Sequence, residues 1–174
     1  MRGYRKRPGT QGFSVPLVGA SLFFIISLFL FASYKNSAYQ QAKKEIDSLY
    51  TANRAFDLDE VYQDGLTAIY AKEYGKTATE AGCEALEQTG LPYVLLLSQF
   101  SAPVERVYVT NCQLSETGRE KKARTYDYTV SVRFCLEKGD EMLAPEKTMD
   151  FHGTVVMKKK GWFRWLLDGV TLGE

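Results

Sequence analysis

From Pro8 to Tyr34 the chain carries no charged residue, and from Phe13 it reads FSVPLVGASLFFIISLFLFASY. Apolar side chains fall on every face of such a helix, so it has no polar side to turn towards water. At about 1.5 Å rise per residue, roughly 20 helical residues cross the ~30 Å hydrocarbon layer. Residues 13–34 are long enough, and Pro16 falls in the first turn, where its missing N–H costs little. The pattern then turns amphipathic. Tyr39, Ala42, Ile46, Leu49, Asn53 and Phe56 are spaced 3-4-3-4-3, which places them on one face of a helix over 35–57. That face either covers the protein's own core or forms a short parallel coiled coil with Asn53 as its polar register position. So short a heptad run favours the first.

Two more helices follow. Asp57 or Asp59 caps the first, which runs to Tyr74, buries Val61, Leu66, Ile69 and Tyr70, and stops at Gly75. Thr77 or Thr79 opens the second, Glu80 and Glu84 suit its early turns, and Gly90 ends it. The run LPYVLLLSQFSAP, held between Pro92 and Pro103, fits a buried strand or a short helix.

Beyond Pro103 the period changes to two. ERVYVTNCQLSE reads as a strand and TGREKK as a polar turn. In ARTYDYTVSVRFCLEKG, Tyr126, Tyr128, Val130, Val132, Phe134 and Leu136 face one way, and Asp127, Thr129, Ser131, Arg133 and Glu137 face the other. Strict alternation over that length means a sheet with one buried face. Met149, Phe151, Val155 and Met157 continue the pattern, with Gly153 as a bulge or a point of close contact. Lys158, Lys159, Lys160 and Gly161 then mark a hairpin turn, and WFRWLLDGVTL is the last strand. The predicted fold is α+β: an N-terminal transmembrane helix, then helices packed on an antiparallel sheet of about four strands.

Charge orients this arrangement. Arg2, Arg5, Lys6 and Arg7 are the only charges before Lys35, so the N-terminus is expected in the cytoplasm of a plasma membrane and the domain outside it. The expected organisation is a basic cytoplasmic tail over 1–12, a transmembrane helix over 13–34, a juxtamembrane helix over 35–57 and an extracytoplasmic domain over 58–174. From Lys35 onward there are 18 basic and 21 acidic residues. A slightly acidic body makes a poor phosphate-binding surface, so no direct nucleic-acid partner is expected. FLFASY offers no small-x-small site for signal cleavage, and no cysteine follows the apolar run to take a lipid.

The residues YDYTVSVRFCLEKG and FHGTVVMKKKGWFRWLLDGVTL resemble the C-terminal half of the nuclear-transport-factor-two-like superfamily, in which helices form a cone on a curved antiparallel sheet. With a short basic tail and one membrane helix, the chain is similar to the bitopic VirB-family assembly proteins of type IV secretion and conjugation systems. The resemblance implies a non-enzymatic scaffold whose partners are the membrane, other envelope subunits and, as a homo-oligomer, itself. A second reading follows from the same superfamily: a membrane-tethered ligand-binding or enzymatic cone, with a pocket formed by His152, Asp150 and Asp127. A third rests on RKRPGTQGFSVPL, which resembles a type IV prepilin processing site and implies cleavage after Gly12. The glutamate those proteins carry at the fifth mature position is Leu17 here.

Other chemistry is sparse. His152 is the only histidine, and Cys83, Cys112 and Cys135 show no metal-ligand spacing. Neither a glycine-rich phosphate loop nor a serine-hydrolase motif is present, so no catalytic, metal or cofactor residue is assigned. An extracytoplasmic setting permits a Cys112–Cys135 disulfide between neighbouring strands, leaving Cys83 free. Trp162, Phe163 and Trp165, just past the lysine turn, either return to the core or rim or serve as contacts for a partner.

Overall fold

The computed structural model describes residues 15–35, 37–51, 65–97, 104–136, 146–161 and 164–173. The chain divides into two units, Met1–Tyr34 and Lys35–Glu174. In the first, α1 spans Val15–Lys35, 21 residues. The large apolar side chains from Leu22 to Tyr34 are exposed, Phe23 at 73%. Among the described residues, no single helix is long and apolar enough to cross a membrane; Leu22–Tyr34 meets that test only jointly with Ala38–Leu49, by length and composition.

The second unit opens with α2, Ala38–Leu49, capped by the Ser37 hydroxyl, which accepts from the Gln40 amide at 3.3 Å. Ala42, Ile46 and Leu49 lie on its core face with no exposure. The amphipathic face therefore covers the domain's own core, and those residues are not open to a coiled-coil partner. Tyr39 sits at the rim, edge-on to Tyr126 with ring centroids 6.0 Å apart. Asn53, Phe56, Asp57, Asp59 and Val61 lie outside the described residues.

Helix α3, Leu66–Tyr74, buries Ile69 and Tyr70, but Leu66 in its first turn stays exposed, against expectation. Helix α4, Glu80–Thr89, has both predicted punctuation marks. Thr79 Oγ1 accepts from the Gly82 amide at 3.1 Å, and Gly90 takes the left-handed conformation at φ 70°. The apolar run after it contains a 3₁₀ helix, Tyr93–Leu97.

Four strands follow: β1 Val104–Arg119, β2 Ala123–Leu136, β3 Glu146–Lys160 and β4 Arg164–Leu172. They form one antiparallel sheet in the order β1-β2-β3-β4. The six alternating residues of β2 from Tyr126 to Leu136 are all buried, as their spacing predicts. Bulges break the edge strands. On β1, Val107 and Val109 face the core at odd positions, Cys112 and Leu114 at even ones, and the register shift falls between Val109 and Asn111. On β4, Trp165 and Leu167 are followed by Val170, with the shift at Asp168. Each extra residue restores the apolar side chains to the inner face after the sequence changes parity.

Gly153 is not a bulge: it pairs regularly with Tyr128 and with Leu172. Its reason is close contact, since a Cβ there would lie 2.0 Å from Thr171 O and 2.6 Å from the Tyr128 hydroxyl. Gly82 does the same for the helix layer, because a Cβ would lie 2.3 Å from Leu167 O. Backbone contact between α4 and β4 is completed by the segment before the helix. Thr79 N donates to Leu167 O at 2.8 Å and Leu167 N to Thr77 O at 2.9 Å, which covers the β4 edge there.

Candidate functional site

The predicted pocket of His152, Asp150 and Asp127 is not formed. Phe151, Val155 and Met157 turn inward, so the even-numbered residues of β3 turn outward. His152 pairs with Thr129, Asp150 with Ser131 and Asp127 with Thr154, which puts all three side chains on the exposed outer face of the sheet. Asp127 Oδ1 accepts from Thr154 Oγ1 at 3.2 Å. The space under the helices, where a cone would hold its ligand, contains Tyr50, Tyr128, Phe134 and Phe151. Its polar atoms satisfy one another. Tyr128 donates to Thr171 O at 2.9 Å, so the 2.8 Å bond between the two phenols has Tyr50 as donor. Burial, reinforced by Tyr128, pushes the Tyr50 phenol far above its ordinary value and keeps it neutral.

All three cysteines are free thiols and buried. The expected Cys112–Cys135 bridge is excluded by register. Cys112 pairs with Val130 and Cys135 with Arg106. Val130 and Cys135 are five residues apart on one strand, about 17 Å at ~3.4 Å per residue, against a Cα separation below about 7 Å for a disulfide. The alternation of apolar residues shows that the strands exist but not which residues stand opposite.

Two of the surface depressions among the described residues lie over cysteines. A cleft of about 370 Å³ between α2 and β1 is lined by Lys43, Asp47, Thr51, Tyr108, Asn111 and Cys112. Burial raises the Asp47 carboxyl, partly offset by Lys43 and Cys112. Burial and the Asp47 carboxylate push the Cys112 thiol up to about 11. The second, about 290 Å³, lies between α3 and α4 over Cys83. Thr67 Oγ1 donates to Glu87 Oε2 at 2.9 Å across these helices. Glu45 on α2 is 7% exposed. Desolvation raises its carboxyl, while a hydrogen bond from Thr77 and the nearby Lys44 pull it back. Among the described residues no group of three or more His, Cys, Asp or Glu is placed to hold a metal.

The most concentrated feature lies at one end of the sheet. Register sets the β1–β2 and β3–β4 hairpin tips side by side: Ala123 pairs with Lys158, and Lys159 N donates to Lys122 O at 2.7 Å. Residues 116–124 and 158–164 hold eight Lys or Arg and two Glu. Lys121, Lys122, Lys158, Lys159 and Lys160 are exposed around Gly161, which takes φ 73°. Trp165 is half-buried against the core, with Arg124 5.5 Å and Lys159 5.9 Å from its ring centroid. Of the predicted contact residues, Trp165 is thus placed in the rim, while Trp162 and Phe163 lie outside the described residues. The predicted turn is present. The sequence signal missed was the second basic tip, Arg119 to Arg124, whose pairing with the first only the register reveals.

The chain matches no protein-family model, no curated protein and no solved structure.

Proposed function

We propose that the chain is a single-pass plasma-membrane protein, N-terminus inside, whose extracytoplasmic domain is a non-enzymatic scaffold subunit of a bacterial secretion or conjugative transfer apparatus. The observation that carries the anchor is α1. Its 21 residues amount to about 31 Å at ~1.5 Å each, and although Leu22–Tyr34 is by itself too short for a span, its side chains expose one large apolar group after another. Exposure on that scale suits hydrocarbon and not water. Arg2, Arg5, Lys6 and Arg7 supply the cytoplasmic flank. Ala38–Leu49 does not belong to the span, because its inner face is part of the domain core and its outer face is polar.

The scaffold role is favoured over the ligand-binding cone by the inner space, filled with aromatic side chains, and by the outward position of His152, Asp150 and Asp127. The family resemblance supplies the kind of machine. Partners on this reading are sister copies and other envelope subunits. The test is cross-linking mass spectrometry on intact membranes, with the N-terminus of the protein read in the same sample. Cross-links to itself and to envelope subunits, with residues 1–12 retained, are expected. A new N-terminus at Phe13 would establish the pilin-like reading instead, and a protein released by carbonate washing would end the anchor.

A further inference from the structure

The domain from Lys35 onward is acidic as a whole, yet its cations are gathered at one end. Outside the two hairpin tips it holds ten Lys or Arg against nineteen Asp or Glu; within them, eight against two. Part of the tip charge is used locally. Arg119 and Arg124 engage Glu116, and Lys158 reaches Asp168 at 3.4 Å. Among the described residues Lys121, Lys122 and Lys160 meet no carboxylate, and Lys159 rests on Trp165. Four lysines side by side on two adjacent hairpin ends repel one another, an arrangement that an opposing anionic surface would relieve.

Position identifies that surface. The chain enters the domain at Lys35, and the first rim contact of α2 is Tyr39 on Tyr126. Tyr126 lies three residues from the start of β2 at Ala123, so the tips extend about 10 Å past that contact at ~3.4 Å per residue. Helix α2 begins at Ala38, three residues after Lys35. From there α2 runs towards Tyr128 and Phe151, which its C-cap Tyr50 contacts, away from the tips. The basic end is therefore the end of the domain at which α2 begins.

We infer that the paired hairpin tips dock on anionic lipid headgroups of the membrane that α1 spans, with Lys121, Lys122, Lys159 and Lys160 facing the phosphates and Trp165 bracing the platform. The inference rests on the proposed membrane anchor and adds a second attachment to it. A transmembrane helix alone does not set which end of the domain faces the bilayer. An electrostatic foot fixes which end faces the bilayer and which surfaces face away for assembly. Each lysine near an anionic surface strengthens attachment by about five-fold, so four together give a large but salt-sensitive effect.

The test is hydrogen-exchange mass spectrometry of the full chain in lipid nanodiscs, either purely phosphatidylcholine or with about a third phosphatidylglycerol. Exchange in peptides covering 119–124 and 158–161 is expected to slow at least five-fold in the anionic discs only. The protection should vanish in 0.5 M NaCl and in the variant K121Q/K122Q/K159Q/K160Q, with exchange in β2 unchanged. Equal exchange in both lipids overturns the inference, and so does a 20-base-pair DNA duplex that protects the tips in phosphatidylcholine discs as well as anionic lipid does. Should the chain fail to enter nanodiscs at all, the anchor itself fails. A chain that inserts but shows no lipid-dependent protection refutes the foot and leaves the anchor standing.

Discussion

Replacing Gly153 by alanine tests how the inner and outer layers are joined. The added Cβ would lie 2.0 Å from Thr171 O, 2.6 Å from Tyr128 Oη and 2.9 Å from its Cζ. None of these atoms moves freely. The carbonyl belongs to the adjacent strand, and the hydroxyl is held between Tyr50 and Thr171 at 2.8 and 2.9 Å. Overpacking of this kind costs about 1–3 kcal/mol. Driving the phenol from its acceptor in a buried site costs about 1–3 kcal/mol more. At a few degrees per kcal/mol for a domain of this size, the melting temperature should fall by about 10 °C. Gly169→Ala is the control, because the nearest atom to its new Cβ is Val156 Cβ at 3.8 Å, an ordinary contact, and its loss should stay within about 1 kcal/mol. Thermal unfolding of the full chain in mild detergent, followed by circular dichroism, reads both. Adding Tyr128→Phe to Gly153→Ala removes one of the clashing atoms, so the double variant should be less destabilised than additivity requires by about 1 kcal/mol. A Gly153→Ala protein melting within 2 °C of the parent, or no lower than the Gly169→Ala control, refutes the argument.

Four further outcomes are expected. Gly82→Ala should destabilise by about 1–3 kcal/mol in chemical denaturation, because its Cβ would meet Leu167 O at 2.3 Å and the helix would have to lift from β4. Glu45→Gln should raise the melting temperature at pH 7. The folded carboxyl is raised above its ordinary value of 4.5, so the parent loses stability as pH rises from 4.5 through the folded value, and the advantage of the variant should shrink to nothing as pH falls below 4.5. Tyr128→Phe should cost more than Tyr50→Phe in the same melts, since the first strands both the Tyr50 donor and the Thr171 acceptor while the second leaves the Tyr128–Thr171 bond intact. Intact-mass analysis after maleimide treatment at pH 7.5 should show all three thiols free and slow to react when native and fully labelled in denaturant. A native mass two hydrogens light, with the bridge mapped to Cys112 and Cys135, would contradict their register.

Where one residue's partners are local, the sequence was a good guide. The caps at Thr79 and Gly90 depend on bonds within three or four residues, and the alternation of β2 depends only on having one wet face. The errors came from long-range register. A cysteine pair on adjacent strands is bridgeable or not according to which residues stand opposite, and nothing near Cys112 or Cys135 encodes that. The polar set around His152 was correctly placed on one face, but whether that face looked into a cavity depended on where α2 packed. The tip cations were visible as two separate clusters. Their union into one platform required the pairing of β2 with β3. One signal was in plain view and missed: the parity change between Val109 and Cys112, and again between Leu167 and Val170, marks those two bulges within a residue or two.

Those bulges lie on the two outer strands, whereas β2 is bonded on both sides without a surplus residue of its own and alternates without interruption over its core positions. A lost or gained codon therefore has unequal consequences along this gene. Deleting Thr110 would remove the central irregularity of β1 and keep Val107, Val109 and the former Cys112 and Leu114 all inward. Deleting Thr129 would turn half of β2 inside out. Length variation can accumulate at the rims of such a sheet, and its centre must keep count.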